Sequence, residues 1–171
     1  MENRDVRPFV NFLKGRKNLV GAEIGVEGGK NAKIMFEELD IKHLYLIDIF
    51  DTYLDMGDHG VLCSTEIGKA CYNGTVYNLR DYMNRITLIV DFSEFAVDKI
   101  KEELDFVYID GNHRYEYVKK DINLYYPKIK IGGVIGGHDF KYDEKGVVVA
   151  VAEFFRTDFK HERWDWWAEK K

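Results

Sequence analysis

Four side chains in the second half of this sequence are of types that do chemistry. Asp110 and Asp139 each close a short apolar run, where a carboxylate has no packing reason to be. His113 and His138 lie beside them in the chain. An imidazole titrates near pH 6.5, so either histidine can accept a hydroxyl proton in a reaction at neutral pH. Asp110, His113 and His138 are therefore the catalytic candidates. Helix capping or an ion pair at a sheet edge is the competing role for the carboxylates, and a bond to a neighbouring loop is the competing role for His113.

These groups act together only if the elements between them fold back on one another. Phe106–Ile109 and Val134–Ile135 are β-branched and aromatic runs that predict strands, with Gly132 and Gly133 supplying a turn before the second. Between them Val118, Ile122 and Tyr125 fall on one face of a helix, with Lys119, Lys120 and Asp121 on the other, and Pro127 ends it. Strand, helix and strand in that order make a parallel pair, which brings Asp110 and Asp139 to the same sheet edge. Ligands of open α/β sheets bind outside the carboxyl ends of the strands, so that edge is the expected active site.

The same alternation occurs earlier. Leu19–Ile24 reads as a strand, a helix follows from about Lys30 to Leu39, and His43–Ile49 reads as the next strand, carrying Asp48 near its end. The turn Gly25-Val26-Glu27-Gly28-Gly29 allows backbone to approach a ligand. Asp48 follows Gly25 by 23 residues, close to the roughly 20-residue offset at which a carboxylate meets a ribose hydroxyl pair. An adenosine-containing cofactor is implied. Glu27 replaces a glycine of the dinucleotide fingerprint, and Glu23 would repel a pyrophosphate. A phosphate-free cofactor bearing an ammonium group fits better, and S-adenosylmethionine is one.

On Glu23-Ile24-Gly25-Val26, Leu46-Ile47-Asp48 and Ile86–Ser93, the chain resembles the class I S-adenosylmethionine-dependent methyltransferases. Ile109-Asp110-Gly111-Asn112-His113, Gly132-Gly133 and His138-Asp139-Phe140 resemble a small-molecule subgroup related to macrocin O-methyltransferase and cephalosporin hydroxylase-like proteins. The resemblance implies a Rossmann-like α/β fold, a doubly wound, mostly parallel sheet with helices on both faces. It implies that Glu23, Gly25, Glu27 and Gly28 face the methionine end of the cofactor, Asp48 the ribose, and Asp91, Phe92 and Ser93 the adenine, with Asp110 nearby. It implies Mg2+ or another divalent metal at Asp110, His138 and Asp139. His138 stands where the subgroup has a second acidic residue, and imidazole favours softer metals than Mg2+. The implied reaction is methylation of a small-molecule hydroxyl; another enzyme or a binding module on the same fold is the alternative.

Composition narrows the field. A chain of 171 residues with 46% hydrophobic content suits one domain, and we expect a single domain over residues 1–171. Thirty acidic against 25 basic residues give a net charge of −5, which disfavours a nucleic-acid backbone as partner. Cys63 and Cys71 match no familiar zinc or redox spacing and read as reduced thiols. With no signal-like leader and no run of apolar residues long enough to cross a bilayer, the expected location is cytoplasmic.

Three segments remain. Residues 1–18 read as a helical lead-in with Val6, Phe9, Val10 and Leu13 as its apolar face. Residues 51–82, with Asp51, Tyr53, Asp55, Met56, Asp58 and His59 before a helix around Ile67–Met83, read as the variable substrate side. Near the C-terminus, Val147, Val151 and Phe154 mark a buried helical stripe, and alternation puts Trp164 and Trp166 on one face of a last strand and Trp167 on the other. Those tryptophans suit core packing or a homodimer surface.

Overall fold

The computed structural model describes residues 6–50 and 65–171. Asp51, Tyr53, Asp55, Met56, Asp58, His59 and Cys63 lie outside that set. Seven strands form one sheet: β1 (Leu19–Ile24), β2 (Ile41–Asp48), β3 (Ile86–Val90), β4 (Leu104–Ile109), β5 (Ile129–Gly137), β6 (Lys160–Glu162) and β7 (Asp165–Glu169). Their order is β3-β2-β1-β4-β5-β7-β6, with β1 to β5 parallel and β7 antiparallel to both neighbours. The chain starts at β1 in the middle, winds outward to β3, then crosses back to β4. The crevice between β1 and β4 is thus the point where strand order reverses, the expected ligand site of such a sheet.

Helices cover both faces because the central strands are apolar on both. In β4, Phe106 and Tyr108 join the core under α1 (Pro8–Leu13) and α2 (Lys30–Glu38), while Val107 and Ile109 join the core under α5 (Tyr115–Tyr125) and α6 (Lys145–Phe155). Two further helices, α3 (Thr65–Leu79) and the single turn α4 (Ser93–Ala96), follow β2 and β3. Glu23 follows the same alternation. Its register partner in β4 is Tyr108, so it faces α1 and α2. Among the described residues no helix is long and apolar enough to cross a membrane.

Several local expectations need correction. Gly132 and Gly133 do not precede β5 but lie within it, where Gly132 takes φ +79° and the register with β4 slips. A bulge has replaced the expected turn. Asp121 is not on the solvent face of α5: it is buried and accepts a bond from the Ser93 hydroxyl, joining α5 to α4. In α6 it is Phe155 that is buried, with Phe154 37% exposed. Trp164 stays outside β7 and is 56% exposed, because the chain turns at Arg163, φ +51°. Trp166 and Trp167 do pack into opposite cores.

Candidate active site

Three strand ends build the site. At the end of β1, Gly25 has φ +85°, and a Cβ there would lie 2.1 Å from the Asp110 carbonyl oxygen. The missing side chain lets the β1 and β4 loops lie against each other, with Asp110 donating its N–H to Ile24 O at 2.7 Å. A Cβ at Gly28 would meet only open space.

Asp48, at the end of β2, organises the glycine turn. Its Oδ2 accepts the N–H groups of Val26 and Glu27 at 2.8 and 3.0 Å, and Oδ1 accepts that of Phe50 at 3.0 Å. A carboxylate offers about four lone-pair sites, so capacity for a ribose hydroxyl remains. From the other side α3 grips the turn: Thr75 Oγ1 donates to Glu27 O and Asn78 Nδ2 to Gly28 O, both at 2.8 Å. Neither residue was singled out in the sequence, because nothing local marks a bond spanning nearly fifty positions. Glu27 itself is exposed, at φ +51°.

Glu23 is 1% exposed beneath this turn. Its Oε1 accepts from Asn31 Nδ2 at 2.6 Å, while Glu23 Oε2 and Asn31 Oδ1, both buried, have no partner. Burial raises the Glu23 carboxyl to about 8, with Asn31 opposing the shift and Asp110 adding to it. Buried polar groups are nearly always paired, so these two orphaned polar atoms leave a hydrogen-bonding demand unmet beneath the glycine turn. An ammonium group supplies three donors and a positive charge, and the residues present therefore fit the amino-acid end of S-adenosylmethionine.

At the end of β3, Asp91 accepts from Lys99 Nζ at 2.7 Å and from the Phe92 N–H. Phe92 is 51% exposed, and Ser93 has its hydroxyl committed to Asp121. Of the three, Phe92 offers the free surface. Asp91 does not cap α4, whose N-cap residue is Phe92.

The ends of β4 and β5 bring the chemical candidates together. β5 stops at Gly137, and Asp139 turns into the left-handed region at φ +58°. Because regular alternation has ended, His138 and Asp139 meet on one side: His138 Nδ1 is 3.1 Å from Asp139 Oδ2 and 3.8 Å from Asp110 Oδ1. His113 arrives from the β4 loop with Nε2 3.0 Å from Asp139 Oδ2 and Nδ1 3.5 Å from Glu144 Oε1. Lys141 Nζ lies 3.0 Å from Asp139 Oδ1. The bond to Asp139 raises His113 to about 9, against the effect of burial. Burial pushes the Asp139 carboxyl up, but bonds from His113, His138 and Lys141 outweigh it and hold it well below its ordinary value. A small cavity bounded by Asp110, His113, Val118, His138, Val147 and Trp166 lies beside these groups.

Among the described residues, Asp110, His113 and Asp139 form the compact set that could hold a metal, with one ligand atom from each within 4.8 Å of the others. His113 thus joins the two carboxylates where sequence reasoning placed His138. The donor set, two carboxylates and an imidazole, fits a divalent cation of intermediate softness better than Mg2+.

Arg7 was missed altogether. It reaches from ahead of α1 to Asp110 Oδ2 at 2.6 Å and to the Tyr108 hydroxyl at 2.6 Å. Tyr108 in turn donates to Asp165 Oδ1 at 2.8 Å, and Asp165 Oδ2 accepts the Phe9 N–H at 3.0 Å. The two bonds from Arg7 link positions more than a hundred residues apart.

Residues 22–140 match the family described as "Methyltransferase domain". An uncharacterised protein of Acanthamoeba polyphaga mimivirus is 27% identical over 127 residues, 74% of this chain; the chain spans about half, 53%, of the length of that curated relative. Among solved structures, a Streptococcus mutans protein described as a methyltransferase in complex with SAH superposes with a TM-score of 0.70 at 15% identity over 100% of both chains. A Streptococcus thermophilus rRNA methylase gives 0.66 at 12% identity, covering 100% of this chain and 99% of that one. The O-methyltransferase NovP gives 0.61 at 16% identity, covering 95% of this chain and 74% of that one. The family match spans the glycine turn and every strand-end residue described above, and the chain belongs to the methyltransferase-domain family, built on the class I S-adenosylmethionine-dependent methyltransferase fold.

Proposed function

We propose that this protein transfers the methyl group of S-adenosylmethionine to a hydroxyl oxygen of a small molecule. The observation that carries the reading is the meeting of Asp110, His113, His138 and Asp139 at the sheet edge beside the β1–β4 crevice. Methyl transfer needs the nucleophile about 3 Å from the carbon and opposite the departing sulfur, so positioning supplies much of the rate.

The partners of the two histidines support different roles for them. Paired with Asp139, His113 keeps its proton up to about pH 9 and cannot serve as a base at neutral pH; as a metal ligand it would be equally occupied. His138 is left to take the acceptor's proton. With Nδ1–H donated to Asp139, its Nε2 is the accepting nitrogen, and Asp165 Oδ1 at 4.0 Å is too far to block it. A divalent cation held by Asp110, His113 and Asp139 would supply Lewis acidity that lowers the acceptor's pKa.

The net charge of −5 supports a small-molecule acceptor over RNA, although one structural neighbour is an rRNA methylase. The Arg7–Asp110 ion pair favours a second reading, a cofactor-binding module without transfer, since it already satisfies one candidate catalytic carboxylate.

Release of SAH from S-adenosylmethionine, measured against a panel of sugar, phenol and polyketide hydroxyl acceptors and matched amines, tests the proposal. Asp110→Ala and His138→Gln should each lose at least about 100-fold in turnover, the scale of general-base catalysis, while SAH affinity stays within a few-fold of wild type. Full activity in His138→Gln would remove the assigned base, and transfer to amines alone would overturn the hydroxyl assignment.

A further inference from the structure

Glu23 accounts for only half of an amino acid. The cofactor's methionine end is a zwitterion, and its carboxylate needs a cation near the ammonium site. Arg7 is the cation in place. Tyr108, which holds it, is the register partner of Glu23 on the adjacent strand and on the same face of the sheet. Arg7 and Asp110 are both close enough to act on the ionisation of Glu23.

Arg7 is also built to receive a second anion. Among the described residues its bonds to Tyr108 and Asp110 both run from Nη1, and Nε with Nη2 is the pair of donors that matches a carboxylate in two-pronged fashion. Its side chain is 27% exposed. Its position does not depend on Asp110 alone. The guanidinium lies 5.4 Å from the centre of the Tyr108 ring, and the Tyr108 hydroxyl is fixed by Asp165, which also clamps the start of α1 through Phe9.

We infer that Arg7 binds the carboxylate of the cofactor's methionine moiety while Glu23 and Asn31 take its ammonium group, so that the segment leading into α1 forms one wall of the cofactor site. Arg7 would then join the methionine end of the cofactor to Asp110, touching both. The inference rests on the S-adenosylmethionine reading above and names a residue that neither the sequence motifs nor the family match, which begins at residue 22, includes.

Two ligands separate recognition of the carboxylate from general support of the site: SAH, and its decarboxylated analogue, which keeps the amine and lacks the carboxylate. Calorimetry of the full chain and of Arg7→Met should show SAH binding weakened roughly 10- to 100-fold, the scale of charge-assisted bonds, with binding of the analogue weakened far less. Arg7→Lys should recover part of the SAH affinity, because a point charge replaces the fork. Equal weakening of SAH and the analogue in Arg7→Met would overturn the inference and leave the cofactor reading intact. Failure of the wild-type protein to bind either ligand would overturn both. Retained binding of the analogue also shows that Arg7→Met is folded.

Discussion

Glu23 carries the sharpest consequence at the scale of the residue. Its carboxyl titrates near 8 in the folded protein against an ordinary 4.5, because burial disfavours the charged form. A folded-state value raised in this way means that the native state holds the proton more tightly than the unfolded chain. Its contribution to stability is therefore full below about pH 4.5 and declines as pH rises toward 8. At about 1.4 kcal/mol per unit, the loss is on the order of 5 kcal/mol. Glu23→Gln should abolish that decline, so thermal melts between pH 5 and 9 should show the variant gaining on wild type as pH rises, and its SAH affinity should fall. A variant that tracks wild type across the range would show that Glu23 is ionised in the apo protein. Cofactor binding should also expel the Glu23 proton near pH 7, giving calorimetric heats that depend on the ionisation enthalpy of the buffer.

At the scale of the element, α3 and β7 make contrasting predictions. α3 steadies the glycine turn through Thr75 and Asn78, so Thr75→Val should weaken SAH binding about five-fold, the value of one neutral hydrogen bond, and Thr75→Ser should restore it. Full affinity in Thr75→Val with loss in Thr75→Ser would point to the Thr75 methyl group instead. In β7, Trp166 is fully buried between α6 and the sheet, and Trp166→Ala should cost about 3–5 kcal/mol. Trp164, outside the strand and over half exposed, should cost within about 0.5 kcal/mol by denaturant melts. A comparable loss at both positions would contradict the placement of the β7 turn. The strands were readable because β1, β2 and β4 contain apolar runs, with Glu23 within the first, Asp48 at the end of the second and Asp110 just past the third. The bulge at Gly132 and the inward turn of Asp121 were not, since a glycine pair also signals a turn and an aspartate among lysines also signals solvent. Only the partners, Asp105 and Ile129 around Gly133 and Ser93 beside Asp121, distinguish them.

For the molecule as a whole, the sheet order places the two halves of the chemistry on one edge. The glycine turn and Asp48 come from the strands wound outward from β1, and the histidine–carboxylate group from those wound the other way. Motifs local in sequence announced each half. What joins them is nonlocal: Arg7 on Asp110, His113 on Asp139, and Tyr108 on Asp165 are bonds between distant segments that no spacing rule anticipates. Every role assigned to these residues requires the β1–β4 crevice to be an S-adenosylmethionine site. Calorimetric titration of SAH into the wild-type protein and into Asp48→Ala tests it most directly. Saturable binding to the wild type, with affinity lost in Asp48→Ala, is the expected result; no binding to the wild type, or equal binding to both, would rule out the crevice as the cofactor site.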